Sequence, residues 1–408
     1  MKPLGPVPAG YGAIDGVLAV GGRKVTDLVA QADGTPLFVY SAAMLRERVA
    51  QLRAAMPQRL ALHYAIKANP FVPILELFSE LVDGYDIASG GELEIVTQAG
   101  IDPSIVSFAG PGKRDREIES AIGAGVTLNL ESEAEAARAI AIAERVGKTP
   151  RLAIRVNPDF DLKGSGMKMG GGAKPFGLDA ERVPALVREV IASGAEWRGF
   201  HIFAGSQALD AEAVADTQAQ TLALAARLAR ESNAPLPHCN LGGGFGIPYF
   251  PGDEALDIDM VGEKLGDQFD NLPAELADTQ FCIELGRYLV GEAGVYLATV
   301  IDRKESHGEV FLVTDGGMHH QLAASGNFGT VVRRNYPAAI ATKFDAEPQE
   351  EASIVGCLCT PLDRLADKGH FPRADVGDTI AIFCAGAYGA SASPAAFLGQ
   401  GPALEMLV

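Results

Sequence analysis

Between residues 60 and 285 the chain alternates short apolar runs with longer amphipathic runs. The longer runs are rich in Ala, Leu, Glu and Arg, as in Glu133–Val146 and Ala211–Glu231, and indicate helices. The eight short runs indicate strands: Ala61–Ile66, Gly84–Ala88, Ile105–Ala109, Val126–Leu130, Leu152–Val156, Arg198–Ala204, Pro237–Leu241 and Gln280–Leu285. Eight consecutive β-then-α units predict an α/β fold with a parallel sheet covered by helices. About 225 residues suits a closed (βα)8 TIM barrel, and an open doubly wound sheet is the alternative.

A second, mostly β region is predicted after Arg287, where helical periodicity is weak. Its expected strands are Val295–Ile301, Val310–Val313, Ala352–Cys357 and Thr379–Cys384. Strand-like runs also occur before the barrel, at Leu18–Val20 and Pro36–Tyr40. We therefore expect residues 1–40 to join a C-terminal β domain, a sandwich or barrel, at 286–408, with the barrel domain at 41–285.

Composition excludes several classes of function. A net charge of −18 over 408 residues makes nucleic acid an improbable partner. The chain has no run of about 18 uncharged apolar residues, which argues against a membrane span. The segment Met1–Leu18 has no apolar core of a secretory signal. Five cysteines without framework spacing indicate reduced thiols and a cytoplasmic protein, and no His, Asp or Glu spacing resembles a metal-ligand set.

Polar and glycine residues concentrate at the predicted carboxyl ends of the barrel strands. These ends carry the active site in (βα)8 enzymes, so the sequence predicts a site there. The residues concerned are Lys67, Asp86, Ser89, Glu92, Asn129, Glu131, Arg155, Asn157, His201, Phe203, Ser206, Gln207, the glycines of 242–246, Glu284 and Arg287.

Lys67 follows the first apolar run and is cut off by Asn69-Pro70. A lysine at the end of a buried strand is expected to be buried, which lowers the amine pKa and makes it a nucleophile toward carbonyls. The alternative is an ordinary strand-end lysine with its charge in water.

The glycine run 242–246 predicts a phosphate cradle, because consecutive glycines let backbone N–H groups converge on an anion. A plain tight turn is the alternative. Arg287 adds a possible bidentate contact to the same anion. Glu284 is suited to pair with a ring nitrogen, or else to form a salt bridge with Arg287 or Arg155. An amine nucleophile, a phosphate loop and a buried carboxylate together suggest pyridoxal 5'-phosphate (PLP).

The chain resembles the fold-type III PLP-dependent decarboxylases, which include diaminopimelate, ornithine, lysine and arginine decarboxylases and share the alanine-racemase-like fold. The resemblance is carried by ordered motifs over most of the chain. They are TPLFVY at 35–40, HYAIKANP at 63–70, DIASGGEL at 86–93, RVNP at 155–158, GFHIFAGSQ at 199–207, GGGFGIPY at 242–249, ELGRYLVGEAG at 284–294, VTDGGM at 313–318, CLCTPLD at 357–363 and AGAYG at 385–389.

The resemblance implies a PLP-dependent carboxy-lyase. Lys67 would form the Schiff base, Glu284 would pair with the pyridinium nitrogen, and Cys359 would protonate the quinonoid carbon after CO2 leaves. A homodimer with shared active sites is implied, in which Cys359 reaches across the interface. The other implied cofactor contacts are Asp86, His201, Phe203, Ser206, Gly243, Gly244, Gly286, Arg287 and Tyr388.

Departures from the family pattern concern the substrate. Phe203 stands where relatives have a ring-stacking histidine, and Thr360 stands where diaminopimelate enzymes place an acid after the catalytic cysteine. The stretch from His319 to Phe328, followed by Arg333-Arg334, resembles a subgroup acting on carrier-protein-linked aminoacyl groups. That subgroup includes glutamyl decarboxylases on acyl carrier proteins and decarboxylases associated with exosortase A.

The substrate is therefore expected to be an amino acid or a carrier-linked aminoacyl group, with meso-diaminopimelate as the alternative. Candidate substrate contacts are Arg155, Asn327, Arg333, Arg334 and Thr360, the two adjacent arginines being equally compatible with a solvated pair. The glycine-rich loop Gly164–Lys174 is expected to be a mobile lid or a disordered insertion.

Two further interpretations stay open. A fold-III racemase would place arginine against the pyridine nitrogen, where this chain has Glu284. A non-catalytic PLP-binding regulator would have lost cofactor residues, whereas Lys67, Glu284 and Cys359 are all present.

Overall fold

A computed structural model describes residues 1–164, 166–326 and 334–408. The chain folds into two compact units. The α/β unit comprises residues 49–246 and 255–286, and the β unit comprises residues 1–48, 247–254 and 287–408.

The α/β unit is a closed barrel of eight parallel strands, numbered here from one to eight. The strands are Leu60–Ala65, Gly84–Ile87, Val106–Phe108, Thr127–Leu130, Arg151–Asn157, Glu196–Ile202, His238–Gly243 and Gln280–Leu285. Each strand pairs in parallel with the next, and the eighth closes on the first in the register Phe281↔Leu60. This confirms the predicted barrel.

Helices follow the barrel strands, and several begin at side-chain caps. Ser89, Ser132, Asp210 and Asp257 each accept a hydrogen bond from a backbone N–H of the first helical turn, which stabilises a helix start. The α-helices of the chain are Val25–Gln31, Ala42–Ala55, Val72–Phe78, Gly90–Gln98, Asp115–Ala124, Glu133–Val146, Val183–Ala192, Ala211–Ser232, Ile258–Asp270 and Arg287–Val290.

Inward-pointing residues follow the period of two expected of strands. Alternate residues of four strands line one cavity of about 320 Å³ inside the N-terminal half of the barrel. They are Ala61 and His63, Thr127 and Asn129, His238 and Asn240, and Gln280 and Cys282. Polar side chains therefore enter this part of the barrel interior, and the opposite, C-terminal ends of the same strands carry the candidate site.

The β unit contains two further sheets. A three-stranded antiparallel sheet and an eight-stranded mixed sheet are formed by Gly12–Ile14, Val17–Val20, Arg23–Lys24, Leu37–Tyr40, Gly294–Ser306, Glu309–Thr314, Ala338–Ile340, Glu350–Val355, Arg364–Phe371, Thr379–Ile382 and Leu404–Leu407. The long strand Gly294–Ser306 pairs with Leu37–Tyr40, Thr379–Ile382 and Glu309–Thr314. One apolar cluster between these elements includes Leu18, Val39, Val295 and Phe383.

The predicted strands occur in the structure with ends shifted by a few residues, whereas five strands of the β unit were missed. The missed strands are Gly12–Ile14, Arg23–Lys24, Ala338–Ile340, Arg364–Phe371 and Leu404–Leu407. Four of them have two to four residues, too few for a periodic pattern, and Arg364–Phe371 mixes charged and apolar residues. Within the described ranges, none of the helices combines the length and apolarity that a membrane crossing demands.

Candidate active site

Lys67 lies just beyond the end of barrel strand one. The strand ends at Ala65, and the chain enters a one-turn 3₁₀ helix, Ile66–Ala68. This turn packs closely against Gly286, where an added Cβ would lie 2.8 Å from the Ala68 Cβ. The turn places the Lys67 side chain at the barrel mouth, where it is exposed. The expectation that Lys67 is buried is therefore wrong, because the strand stops two residues before it.

The surroundings of the Lys67 amine are aromatic and acidic. Its Nζ lies 5.7 Å from the centroid of the Phe203 ring, a cation–π distance. Glu92 lies near enough for the Lys67 charge to act on it. Burial raises the pKa of the Glu92 carboxyl, whereas the hydrogen bond that Ala88 N donates and the positive charge of Lys67 both lower it. The effect of burial is the larger, so the pKa is raised overall. Phe203 therefore lies beside the amine, as the sequence predicts for a ring-stacking residue.

Glu284 is the central buried carboxylate of the barrel mouth, at the end of strand eight and 6% exposed. His201 Nε2 lies 2.9 Å from its Oε2, and Asn240 Nδ2 donates to the same oxygen at 3.1 Å. Burial alone would raise the pKa of Glu284, but His201, Lys67 and Arg155 overcome it and bring the pKa to about 2. Glu284 is therefore an ionised carboxylate at neutral pH, and neither arginine salt bridge considered from the sequence is its contact.

Several buried polar atoms of the mouth have no hydrogen-bond partner among the described residues. They are both carboxylate oxygens of Asp86 and both ring nitrogens of His201. Two of these atoms make an ion-pair contact only: His201 Nε2 with Glu284, and Asp86 Oδ2 with His63. Buried polar atoms normally have hydrogen-bond partners, so a cluster of buried atoms that lack them indicates a binding site whose polar ligand supplies the missing hydrogen bonds. Together with Lys67 and ionised Glu284, these atoms fit the aldehyde, phenol and ring nitrogen of PLP.

The glycine loop after strand seven is closely packed by backbone. A Cβ at Gly243 would lie 1.9 Å from the Glu284 carbonyl oxygen, and one at Gly244 would lie 2.1 Å from that of Gly205. Gly244 also has φ +80°, which disfavours any side chain. Only glycine fits these positions, so the loop brings bare backbone next to the Gly205-Ser206 turn, as a phosphate cradle requires.

The loop 164–174 is attached to that turn. Met167–Lys168 form an antiparallel pair with Gly205–Ser206, and the N–H groups of Met169 and Gly170 donate to Ala204 O at 3.1 and 3.0 Å. Its described residues thus hydrogen-bond to the Ala204–Ser206 turn, and its role as a lid stays a prediction.

Arg155 points into a network on the other side of the mouth. Its Nη1 donates to Glu131 Oε1 at 2.9 Å, and its guanidinium lies 5.0 Å from the Phe176 ring centroid. Glu131 also accepts from Gly110 N and Gly177 N at 2.6 and 2.7 Å. A substrate contact by Arg155 stays a prediction, and its present contacts hold three loops together.

In the β unit, Arg287 begins a short helix and is held by aromatic residues. Its Nη1 donates to Tyr249 Oη at 2.7 Å, and its guanidinium lies 4.8 Å from the Tyr388 ring centroid. Tyr388 has a positive φ of 60°, a rare conformation for a tyrosine. Burial raises the pKa of Tyr249 to about 12, so Tyr249 stays a neutral phenol beside the arginine. Arg287 and Tyr388 are thus neighbours, and their contact with a cofactor phosphate stays a prediction.

The CLCTPLD segment is held by Asp363, which accepts from Met318 N and Leu358 N at 2.7 and 2.8 Å. Cys359 is exposed, whereas Cys357 is half-buried. Thr360 Oγ1 accepts from Leu362 N at 3.3 Å. Exposure leaves the Cys359 thiol accessible to a partner, which the predicted role needs.

The remaining substrate candidates are Asn327, Arg333 and Arg334. Asn327 and Arg333 lie outside the described residues. Arg334 is exposed, and its guanidinium lies 3.8 Å from the Phe250 ring centroid.

Sequence reasoning missed His63 and Asn240 as site residues. His63 Nδ1 lies 3.3 Å from Asp86 Oδ2, and Asn240 binds Glu284 as described above. The strand period would have found both: His63 is four residues before Lys67, and Asn240 two before Gly242, each on the inward face.

Comparison with known proteins agrees with this geometry. The family described as "Pyridoxal-dependent decarboxylase, pyridoxal binding domain" matches residues 42–291. The chain is 35% identical over 379 residues to L-glutamyl-[BtrI acyl-carrier protein] decarboxylase of Niallia circulans, covering 91% of this chain and 88% of the relative. It is 33% identical to diaminopimelate decarboxylase of Archaeoglobus fulgidus, covering 93% and 89%.

Among solved structures, the chain is similar to diaminopimelate decarboxylase from Helicobacter pylori complexed with L-lysine. The TM-score is 0.81 with 26% sequence identity, and the match covers 94% of each chain. The similarity therefore extends over both units of the chain.

Proposed function

We propose that this chain, which belongs to the pyridoxal-dependent decarboxylase family, removes the α-carboxylate of an aminoacyl group tethered to an acyl carrier protein. PLP is the cofactor of the family. When bound, it supplies an electron sink for the pair released as the bond to the carboxylate breaks. The observation that carries the proposal is the buried Glu284, held by His201 and Asn240 in the same barrel mouth as the exposed Lys67, at the end of the barrel where (βα)8 enzymes react.

Each side chain of the barrel mouth has a defined part. Lys67 would hold the cofactor through its aldehyde, with the side-chain amine at the barrel mouth. Phe203 supplies an apolar ring face next to that amine. Glu284, fixed by His201 and Asn240, supplies a negative charge that favours a protonated ring nitrogen. A protonated ring would make the cofactor a strong electron sink for the pair left on Cα.

The Cα–carboxylate bond breaks, CO2 leaves, and a proton takes its place on Cα. We assign that proton to the thiol of Cys359, supplied by a second copy of the chain in a homodimer. Exposure of Cys359 supports this assignment, and a thiol is a competent acid near neutral pH once its pKa is tuned. Arg287 and Tyr388 are assigned to the cofactor phosphate.

The choice of a tethered substrate is supported by two observations. Thr360 follows Cys359 and presents a hydroxyl, which carries no charge to bind the distal ammonium group of diaminopimelate. The relative from Niallia circulans acts, by its name, on a glutamyl group carried by an acyl carrier protein. Free meso-diaminopimelate is the second candidate, since it is the substrate named for other relatives of similar identity.

The test is CO2 release by the PLP-loaded protein. Free meso-diaminopimelate, lysine, ornithine, arginine and glutamate are compared with aminoacyl carrier-protein conjugates. Lys67→Ala serves as the blank, and the exposed Lys148→Ala serves as the matched lysine control. We expect turnover of a conjugate, absent in Lys67→Ala and retained in Lys148→Ala. If free diaminopimelate alone released CO2, the proposal of a tethered substrate would be wrong. If no substrate released CO2 but an amino acid was racemised, the proposal of decarboxylation would be wrong.

The cysteine assignment has its own test. Mixing inactive Lys67→Ala with inactive Cys359→Ala should restore about a quarter of the activity in a dimer with shared sites, because one site of each mixed dimer is then intact. Failure of mixing to restore activity would contradict a site shared between two copies.

A further inference from the structure

His63 lies beneath the site on the inward face of strand one, in line with Ala65 and Lys67. Room for its imidazole is made by Gly84 on the neighbouring strand. A Cβ at Gly84 would lie 2.6 Å from His63 Nε2 and 2.8 Å from Ile105 O, so no larger residue fits there. The His63 side chain is thus accommodated by the space that a glycine leaves in strand two.

One ring nitrogen of His63 faces the site. Its Nδ1 lies 3.3 Å from Asp86 Oδ2, and Asp86 is 6% exposed. Neither Asp86 oxygen has a hydrogen-bond partner among the described residues. In the strand register Asp86 is opposite Ala65, two residues before Lys67. When it is protonated, the His63 imidazole is therefore the positive group that contacts Asp86 from the N-terminal half of the barrel.

The other side of His63 faces the cavity of the N-terminal half of the barrel. This cavity measures about 320 Å³ and is also lined by Ser107, Asn129, Asn240 and Cys282. A water occupies about 30 Å³ of liquid, so the space is large enough for several waters, and the polar side chains within its mixed lining can bind them. Its rim includes the exposed residues Ser104 and Gln280. His63 can therefore exchange protons with solvent without using the mouth that holds the substrate.

The charges around His63 favour its protonated form. Burial lowers the pKa of His63, but Asp86, Glu284 and Asp83 raise it more, so the net direction is upward from 6.5. Glu284 itself has a pKa of about 2 and is ionised throughout the range in which an imidazole titrates.

Two other titratable groups of the cavity, His238 and Cys282, do not change their charge near neutral pH. Burial, with Arg198, Arg151 and His63, lowers the pKa of His238 to about 4. Burial raises the pKa of the Cys282 thiol well above its usual range. Neither His238 nor Cys282 therefore changes its charge over the pH range in which His63 titrates.

We propose that His63 is a positioning residue that acts on the reaction through Asp86: as an imidazolium it pairs with the buried carboxylate and orients it beside the Lys67 turn, and it receives its proton through the N-terminal cavity. The proposal rests on the proposed function, since Asp86 matters to catalysis only if the chemistry occurs at Lys67. At high pH, neutral His63 leaves the buried Asp86 without its counter-charge, and the reaction slows.

The first test needs no turnover. Histidine-selective ¹⁵N NMR titration of the full chain, with His63→Gln to assign the signal, should place the His63 pKa above 6.5. Asp86→Asn should lower it, while His238 in the same cavity stays neutral across the neutral pH range in both proteins. A His63 pKa at or below its ordinary value, or one unmoved by Asp86→Asn, would overturn the proposal whatever the substrate.

The second test separates positioning from folding. In the PLP-loaded protein, His63→Gln should lower kcat about tenfold with KM unchanged and remove the alkaline fall in the pH profile that the wild type shows. His238→Gln, which lines the same cavity, should leave both unchanged. Borohydride capture of PLP on Lys67, measured by mass spectrometry, should persist in His63→Gln. An alkaline limb unchanged in His63→Gln would refute the role, and lack of turnover by the wild type would refute only the proposed function.

Discussion

The two sides of the barrel mouth use similar charged residues in opposite ways. On one side, Lys113, Glu131, Glu135 and Arg155 form a saturated ion network. Lys113 Nζ donates to Gly110 O, Asn129 O and Glu135 Oε1 at 2.7 to 2.8 Å, which uses all three of its hydrogens. On the other side, Asp86 and His201 keep buried atoms with no hydrogen-bond partner among the described residues.

The difference separates structural charge from chemical charge. A buried ion with every donor and acceptor satisfied is held in one geometry and has no capacity left for a ligand. The partly satisfied side carries a desolvation cost that a bound cofactor relieves, which is typical of a functional site. We expect mutations on the saturated side to change mainly stability and those on the other side mainly activity.

The largest expected effect is on stability, from Lys113→Ala. Lys113 and Glu135 have side chains only 1% and 2% exposed, so removing the lysine leaves a buried carboxylate without its partner. The cost should be about 3–5 kcal/mol in the free energy of unfolding, measured by urea denaturation.

The control is the double variant Lys113→Met with Glu135→Leu. Replacing both charges by apolar residues of similar size should restore much of the lost stability, since no unpaired charge remains. Normal stability of Lys113→Ala together with lost decarboxylation would show that the network belongs to the site and would break the comparison.

Glu284→Gln should have the opposite profile. The neutral amide keeps an oxygen for Asn240 but no longer provides the negative charge for the ring nitrogen, so kcat should fall about 100-fold, with little change in Tm. The matched variant on the saturated side is Glu131→Gln, which should lower Tm more and kcat less. Equal effects of the two variants on both quantities would contradict the distinction.

Much of the barrel was predictable from the sequence, because its signals are local. Strand eight occurs at Gln280–Leu285 and the helix Glu133–Val146 has the predicted bounds. Continuous apolar strands and capped helices recur in order, and a (βα)8 topology leaves few alternative arrangements. Lys67, Phe203 and Glu284 could be placed at one barrel mouth because strand ends converge in that topology, and their roles stay predictions.

The rest depends on side chains brought together from distant strands. The exposure of Lys67 follows from where strand one stops, which local pattern does not fix. The contact of His63 with Asp86 requires the space left by Gly84. Strand register determines that His201, and not Arg155 or Arg287, contacts Glu284. Short strands such as Ala338–Ile340 exist only through tertiary pairing, in this case with the distant strand Thr379–Ile382.

The pH dependence of stability sharpens the comparison on the functional side. The pKa of His63 is raised in the folded chain, so its contribution to stability is present below the unfolded value of 6.5 and is lost as pH rises through the folded value. Between pH 6.5 and the raised pKa of His63, the free energy of unfolding of the wild type should therefore fall as the pH rises. The same quantity should not fall in this way in Asp86→Asn, which has no carboxylate at position 86 to pair with His63. Parallel pH–stability curves of the two proteins, from thermal unfolding, would contradict the pairing.

The smallest effects come from two helix caps, one on each side. Ser132 Oγ accepts from Glu135 N at 3.2 Å, and Ser89 Oγ accepts from Glu92 N at 3.1 Å. Replacing either serine by alanine should cost about 1 kcal/mol, because each removes one N-cap hydrogen bond.

The two cap variants should differ in activity although they match in stability. Ser89 begins the helix that carries Glu92, which accepts from Ala88 N at 2.5 Å and interacts with Lys67. Loosening that turn should therefore lower kcat/KM in Ser89→Ala, by less than in Glu284→Gln. Ser132→Ala loosens a turn whose glutamate is bound to Lys113, so its kcat/KM should stay at the wild-type value. Equal losses of kcat/KM in Ser89→Ala and Ser132→Ala would mean that the saturated network transmits strain to the site. The distinction between the two sides of the barrel mouth would then be wrong.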